Sequence, residues 1–402
     1  MSFTKFVGAD KMSTAYQELL VQMFTSTLVA AKPDRANART MGLTAEAWVY
    51  STLGLRGYGA PDRVLNAPTN EALIDPWIAH LTSLGVTFQL GATLTELQVA
   101  SERISGARVA TDTGTTTVTA DHCVLAVPVE RAVPLLNAGI LAIDPGLAGL
   151  QKLTTDWMNG IMLYLTQPLQ LSKGHVTYPG QPWALTSINQ TQFWKADFAA
   201  TYGDGTVKDC YSLDLSAWDK PSVLYGKAAK ECTPTEIIAE IKEQLRRSIP
   251  LGAVALPDSI VSSSFIDPAI MAVGTSSVAD DEPLLINEPG SWANRPEATT
   301  GVPNLYLASD YVRADINLAT MEAANEAGRK VTNAIIDNSG GTEAHAELFT
   351  LYQPPEFAPI SADDDVNDPS LKRRACRAGA TGCGAALASG PALGCRGWVW
   401  GG

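Results

Sequence analysis

The sequence predicts a mixed α/β fold in which helices and strands are interleaved along the chain. Two stretches carry that reading. Between residues 85 and 128, five short runs rich in Val and Thr are separated by Gly, Asp and Ser, the pattern of a strand meander followed by a buried strand. From Asn304 to Lys330, "NLYLASDYVRADINLATMEAANEAGRK" reads as a strand, a turn with an aspartate, and a long helix of small residues. The size agrees: 402 residues, 46% of them hydrophobic, suffice for two or three domains with substantial cores.

Residues 11–31 predict a long helix with much apolar surface, and residues 69–84 a second one interrupted by Pro76. The strand runs follow: "GVTFQL", "ATLTELQV", "ISGARVATD", "GTTTVTAD" and "HCVLAVP". The middle is mixed, with "WMNGIMLYLTQPL" and "PWALTSINQTQFW" reading as aromatic-rich strands. Residues 233–249 predict a helix with Thr233 as N-cap, Pro234 at its first position and Glu236 completing a capping box. The strand "SIVSSSFI" and a Pro- and Gly-rich linkage at 283–303 lead to the stretch at Asn304. Beyond residue 340 the chain turns acidic, then rich in Gly, Ala, Arg and Cys without periodicity, which predicts a disordered tail over 341–402.

Charge and cysteines narrow the function classes. A net charge of -13, from 29 Lys+Arg against 42 Asp+Glu, disfavours nucleic acid as a partner. No apolar run approaches the roughly 18 residues of a spanning helix, and residues 1–10 lack the apolar region of a secretory signal. The six cysteines (123, 210, 232, 376, 383, 395) show no C-x-x-C spacing, and the four histidines (80, 122, 175, 345) form no ligand set, so no metal site is expected. Cys123 reads as a buried core thiol, and the cysteine usage suits a reducing, cytoplasmic compartment.

The strand–turn–helix at Asn304 is the candidate site. Asp310 follows the strand at its C-terminal end, where α/β sheets place ligands, and can accept hydrogen bonds from polyol hydroxyls. A helix expected from Asn317 onward offers free N–H groups and a positive dipole end to an anion. Ala319, Ala323, Ala324, Ala327 and Gly328 keep that helix slim. From these residues alone, an ordinary strand–turn–helix with a capping Asp is the simpler reading.

The stretch resembles the C-terminal flavin-binding motif of the flavin amine oxidase and phytoene desaturase superfamily, through "LASDYVR" and "NLATMEAANEAGRK". The meander resembles the same family, whose last strand matches this chain at Ala120, Asp121, Val124, Ala126 and Pro128. The resemblance covers roughly residues 1–337. It implies FAD as cofactor, with Asp310 on its ribityl and pyrophosphate region and the segment Tyr311, Asn317, Leu318, Ala319, Thr320 and Met321 around the flavin ring. It also implies that Ala126 and Pro128, at the end of the meander's last strand, contact the cofactor. It implies an FAD-binding Rossmann-like domain carrying an inserted mixed substrate-binding domain. The expected division is a helical part of the substrate domain (1–60), FAD-domain helix and meander (61–135), substrate domain (136–295), FAD-binding strand and helix (296–340) and tail.

One departure from the family is expected to matter. No G-x-G-x-x-G unit stands near the N-terminus; "GLRGYGAP" at 54–61 and "GATGCGAA" at 379–386 do not follow parallel strands. The Rossmann half is then incomplete: either the protein is truncated or split, or a second chain supplies that half. Thr320 stands where amine oxidases of the family place an aromatic residue, which favours the carotenoid or isoprenoid desaturase branch, with hydroxysqualene dehydroxylase relatives and amine oxidases as alternatives. That branch implies hydride removal from a long apolar substrate and peripheral membrane contact. Trp157, Tyr164, Trp183, Phe193, Trp194 and Trp218 read either as core packing or as a tunnel for such a substrate. His175 and Arg295 are the catalytic candidates, with Asp156 a further polar residue of interest. A catalytically inactive fragment and a partner-requiring subunit remain alternative readings.

Overall fold

Where apolar residues recur every second or every third to fourth position, the chain forms the sheets and helices that those periods dictate, around three hydrophobic clusters. A computed structural model describes residues 1–351 except 28, 55–62, 170 and 251, together with residue 355. Of the predicted tail, residues 341–351 and 355 are described and the rest lies outside the described residues, as do most of "GLRGYGAP" and all of "GATGCGAA".

The N-terminal region is helical. Ser13 caps a short turn by accepting from the Tyr16 N–H at 3.2 Å, and a π-helix runs over Gln17–Thr27. Helix α1 (Ala38–Thr52) begins at Asn37, whose side chain accepts from Arg39 N. Phe3, Val21, Phe24 and Met41 form one cluster with Ile286 and Leu318, which brings this region against the candidate site. Helix α2 (Asp75–Ser83) follows a π-turn at Asn70–Ile74. The interruption expected at Pro76 is this change of helical register. Proline is tolerated there because first-turn N–H groups have no intrahelical acceptor.

Strands β1 (Thr93–Ala100), β2 (Arg103–Thr111) and β3 (Gly114–Val118) form the antiparallel meander. The β1–β2 connection is the two-residue turn Ser101–Glu102, both at positive φ, which matches strand twist. The run "GVTFQL" does not join them. Val86, Phe88 and Leu90 are exposed, and no ladder includes them. Alternating apolar residues alone do not make a strand without a neighbour to hydrogen-bond.

Next come β4 (Cys123–Leu125), helix α3 (Val129–Ala132) and helix α4 (Ala138–Ile143). Cys123 is only partly buried, contrary to the core thiol expected, because β4 lacks cover on one side and Val124 is 44% exposed. Strand β5 (Thr154–Asp156) leads to β6 (Asn159–Leu165), β7 (Val176–Thr177), β8 (Leu185–Asn189) and β9 (Asp209–Leu215). Helix α5 (Pro234–Ser248) precedes β10 (Val261–Ile266). An antiparallel sheet of order β10-β6-β9-β8-β7 results. One face of it, carrying Ile161, Leu163 and Leu165, meets Ile237, Ile241 and Leu245 of α5, spaced four residues apart on one helix face. The predicted capping box is present: Thr233 N donates to Glu236 Oε2 at 2.8 Å, and Glu236 N to Thr233 Oγ1 at 3.3 Å.

Strands β11 (Ile270–Met271) and β12 (Ala279–Asp280) pair with each other, and β13 (Leu284–Ile286) pairs with β5. Strand β14 (Leu305–Leu307) then returns to lie parallel to β4, with Leu305 opposite Cys123 and Leu307 opposite Leu125. The five-stranded sheet thus lies in the sequence between two strands that are neighbours in space. Asn304 ties this pair to the meander: its side chain accepts from Ile104 N at 2.8 Å and donates to Ile104 O at 3.0 Å. Helix α6 (Met321–Ser339) closes the chain, burying Ala323, Ala327 and Val331, again four apart. None of the described helices is long and apolar enough to cross a membrane.

Candidate flavin site

Because β4 and β14 are parallel, their C-terminal ends emerge side by side. The Ala308 N–H donates to Leu125 O at 3.1 Å, so pairing runs to the last residue. Ligands of α/β sheets sit in the crevice beyond such ends. Ala126 and Pro128 are exposed there on the β4 side, and Pro128 starts α3. Asp310 stands there on the β14 side. Its carboxyl is mostly buried; burial pushes its pKa up, opposed by a 3.2 Å hydrogen bond from Ser309 Oγ and by the positive charge of Arg295.

Arg295 holds the turn that carries Asp310. It is 1% exposed and follows the 3-10 turn Ser291–Asn294. One guanidinium nitrogen donates to the Asp310 carbonyl at 2.6 Å and another to the Asn317 side-chain oxygen. Its Nε has no partner among the described residues. Burial pulls this guanidinium down to about 10, partly offset by Asp310. The opposite flank is fixed by α6: Lys330 Nζ donates to Arg313 O at 2.8 Å, and Glu326 accepts from Asp315 N at 2.9 Å.

Asn317 does not begin a helix. It adopts φ of 47°, and α6 starts only at Met321. Four partners hold it there: Arg295, Thr40 Oγ1, which accepts from its Nδ2 at 3.1 Å, Asn287, whose Nδ2 donates to its carbonyl at 2.7 Å, and Ala314, whose carbonyl accepts from its N–H at 3.2 Å. Asn is among the few side chains that tolerate this left-handed region. The consequence is a bent segment, Leu318–Thr320, between the turn and the helix. Thr320 becomes the N-cap of α6 and accepts from Ala323 N at 3.2 Å. The N–H groups of Met321 and Glu322, at the first two helical positions, have no intrahelical acceptor. Met321 is 70% exposed at this end.

Leu318, Ala319 and Thr320 line a cavity of about 230 Å³ with Met41, Met158 and Asn287 on its other walls. Its lining is chiefly apolar. Tyr311, by contrast, is fully buried in the core of the meander and the parallel pair; its hydroxyl has no partner among the described residues, and burial pushes its pKa up.

Glu130 is a residue that sequence reasoning passed over. It lies in the first turn of α3, directly after the β4 strand end, and its Oε2 is buried without a hydrogen-bond partner. Burial raises its carboxyl pKa, and Asp310 and Asp280 raise it further, opposed by its own backbone N–H and by the charge of Arg131. Arg131 itself pairs with Asp281 at 2.6 Å. The signal was available: parallel neighbours deliver their strand ends to one crevice, so an acid after "LAVPV" faces the same space as Asp310.

The other candidates are elsewhere. His175 is exposed just before β7, where its charge acts on Asp214. Asp156 ends β5, accepts from Trp157 N at 2.9 Å and pairs with Lys32 at 3.6 Å. The aromatic residues divide. Trp183 and Trp218 are buried core, Trp157 lies edge-on to Trp218 with centroids 5.5 Å apart, and Trp194 packs with Phe198 and Tyr202. No group of three or more potential metal ligands occurs among the described residues.

These residues fit the flavin end of FAD. The crevice presents a half-buried carboxyl for polyol hydroxyls, a helix start for an electron-rich ring edge, and an apolar cavity beside them, with Arg295 and its spare donor buried behind the turn. No curated protein matches the chain. Among solved structures, an oxidoreductase from Methanosarcina mazei is similar at 12% identity over 80% of this chain, with a TM-score of 0.49. A triple mutant of a flavin-dependent brominase is similar at 14% identity over 73%, with a TM-score of 0.34. This chain spans 65% and 59% of the lengths of those two proteins. The profile of the flavin containing amine oxidoreductase family matches residues 13–336, most of the sequence, and the chain therefore belongs to that family, whose usual cofactor is FAD.

Proposed function

We propose that the protein is an FAD-dependent oxidoreductase that holds the flavin end of its cofactor between Asp310 and the start of α6 and oxidises an apolar substrate. One observation carries this reading: Arg295 pins both Asp310 and Asn317, which sets a half-buried carboxyl and a helix start on one crevice beside an apolar cavity. FAD, when bound, supplies the two-electron acceptor. The chain's own residues bind and orient. With FAD bound, Asp310 would accept from ribityl hydroxyls, the N–H groups at Met321 and Glu322 would offer donors to the ring edge, and the apolar lining would keep water from the reacting segment.

The cavity bears on the substrate. A cavity of about 150 Å³ admits a benzene-sized guest, so this space of about 230 Å³ takes one segment of an isoprenoid rather than a whole chain. Thr320 in place of an aromatic residue supports the desaturase-like branch over amine oxidation.

The Rossmann half enters this reading as a partner. Trp77, Leu84, Val86, Phe88 and Leu90 are exposed on α2 and the extended run after it, and the parallel pair has only two strands. Parallel sheets are normally covered on both faces, which supports a nucleotide-binding segment docking on this surface. Titration with FAD, followed by quenching of flavin fluorescence, tests the site: saturable binding lost in Asp310→Ala supports it, and equal binding by that variant refutes it.

A further inference from the structure

At the other end of the parallel pair, where β4 and β14 begin, a cleft of about 320 Å³ is lined by Arg103, His122, Thr299, Thr300, Tyr306 and Asn338, among others. No carboxylate lines it. Asn338 Nδ2 donates to the Tyr306 hydroxyl oxygen at 2.9 Å, and the same hydroxyl hydrogen-bonds His122 Nδ1 at 3.3 Å, which ties the imidazole to the floor of the cleft. Tyr306 is 1% exposed and cannot swing away. Thr300 Oγ1 is committed to the backbone of Val302 and Leu305.

Arg103 completes the cleft. It is exposed at the start of β2 and makes no ion pair among the described residues, whereas Arg108 on the same strand pairs with Glu96 at 3.3 Å. A guanidinium with no ion pair, an imidazole and a side-chain amide thus line one cleft, and no carboxylate does among the described residues. In a chain of net charge -13 such a site stands out against the surrounding field.

We propose that this cleft binds a small oxyanion, a phosphate- or carboxylate-bearing molecule, at a site separate from the flavin crevice. The guanidinium fork matches two oxygens of either group, and the His122 ring and the Asn338 amide flank it with further polar contacts. Binding there would bridge β2, the start of β4 and the last turn of α6.

The test is calorimetric titration of the full chain with inorganic phosphate and, separately, with malonate at constant ionic strength. The expected result is saturable binding of one or both, which also decides between the two sources. Arg103→Gln and His122→Asn should each weaken it tenfold or more, while Arg108→Gln leaves it unchanged and Arg103→Gln leaves FAD binding unchanged. Three results would overturn the proposal: no saturable binding of either anion, parent-like binding by Arg103→Gln and His122→Asn, or an equal loss in Arg108→Gln, which would reduce the effect to general surface charge.

Discussion

Arg295 is the residue on which the site's geometry depends. It sits in the core with no carboxylate hydrogen-bonded to it, and it uses its fork to join the Asp310 carbonyl to the Asn317 side chain. Lysine has one nitrogen centre and cannot span both. Arg295→Lys should therefore destabilise the fold by about 2–3 kcal/mol, the cost of leaving buried partners unmade; equilibrium urea unfolding measures it. Glu130 and Asp310 behave differently. Both carboxyls are raised in the folded state, so the fold prefers them protonated, and their contribution declines as pH rises through the ordinary carboxylate range and above. Glu130→Gln should accordingly gain stability relative to the parent at pH 7 and show a flatter stability profile above about pH 4.5. Arg295 was readable as a candidate only through the family resemblance, as an Arg-Pro shortly before the strand at Asn304. Glu130 was missed because nothing local distinguishes it, and only the parallel pairing of β4 with β14 brings it to the crevice.

At the scale of elements, local signals proved as good as the physics behind them. The capping box at Thr233 was legible because all its parts lie within four residues. Its Glu236 carboxyl is depressed to about 2, mainly by the Lys227 side chain and then by the Thr233 N–H. A depressed carboxyl contributes stability that is complete above about pH 4.5 and is lost as pH falls toward 2. The parent should lose stability across that window more steeply than Glu236→Gln, in acid-unfolding curves followed by circular dichroism. The slim face of α6 was also legible, but only Ala323 and Ala327 use it, while Ala324 points to solvent. Ala327→Leu should cost about 1–3 kcal/mol by overpacking, again measured by urea unfolding. The start of α6 was misplaced by four residues. Asn317 has a sequence that permits a helix, yet its left-handed backbone is imposed by Arg295, Thr40 and Asn287, which lie 22, 277 and 30 residues away. The run "GVTFQL" failed for the same kind of reason, since a strand needs a neighbour that its own residues do not specify.

At the scale of the whole molecule, a mixed α/β fold was legible from the order of its patterns, and an inserted domain from the family resemblance. Which strands would be neighbours was not legible, because β4 and β14 are brought together by contacts far apart in sequence. The same assembly leaves an apolar surface on α2 and residues 86–90, where Leu84 is 67% and Leu90 89% exposed. Surfaces of this kind mark interaction sites or cause association. Replacing Phe88 and Leu90 together with Asp should lower self-association in sedimentation velocity without moving the thermal midpoint; unchanged association would assign the contact to another surface.

The central claim is that the turn at Asp310 holds a flavin, and fluorescence titration of the parent and of Asp310→Ala with FAD tests it most directly. Removing one or two charge-assisted hydrogen bonds costs about 2–3 kcal/mol, and each 1.4 kcal/mol is about tenfold in affinity. The account predicts saturable binding by the parent and roughly thirtyfold or weaker binding by the variant, with both proteins folded by circular dichroism. Parent-like affinity in a folded Asp310→Ala protein would contradict it.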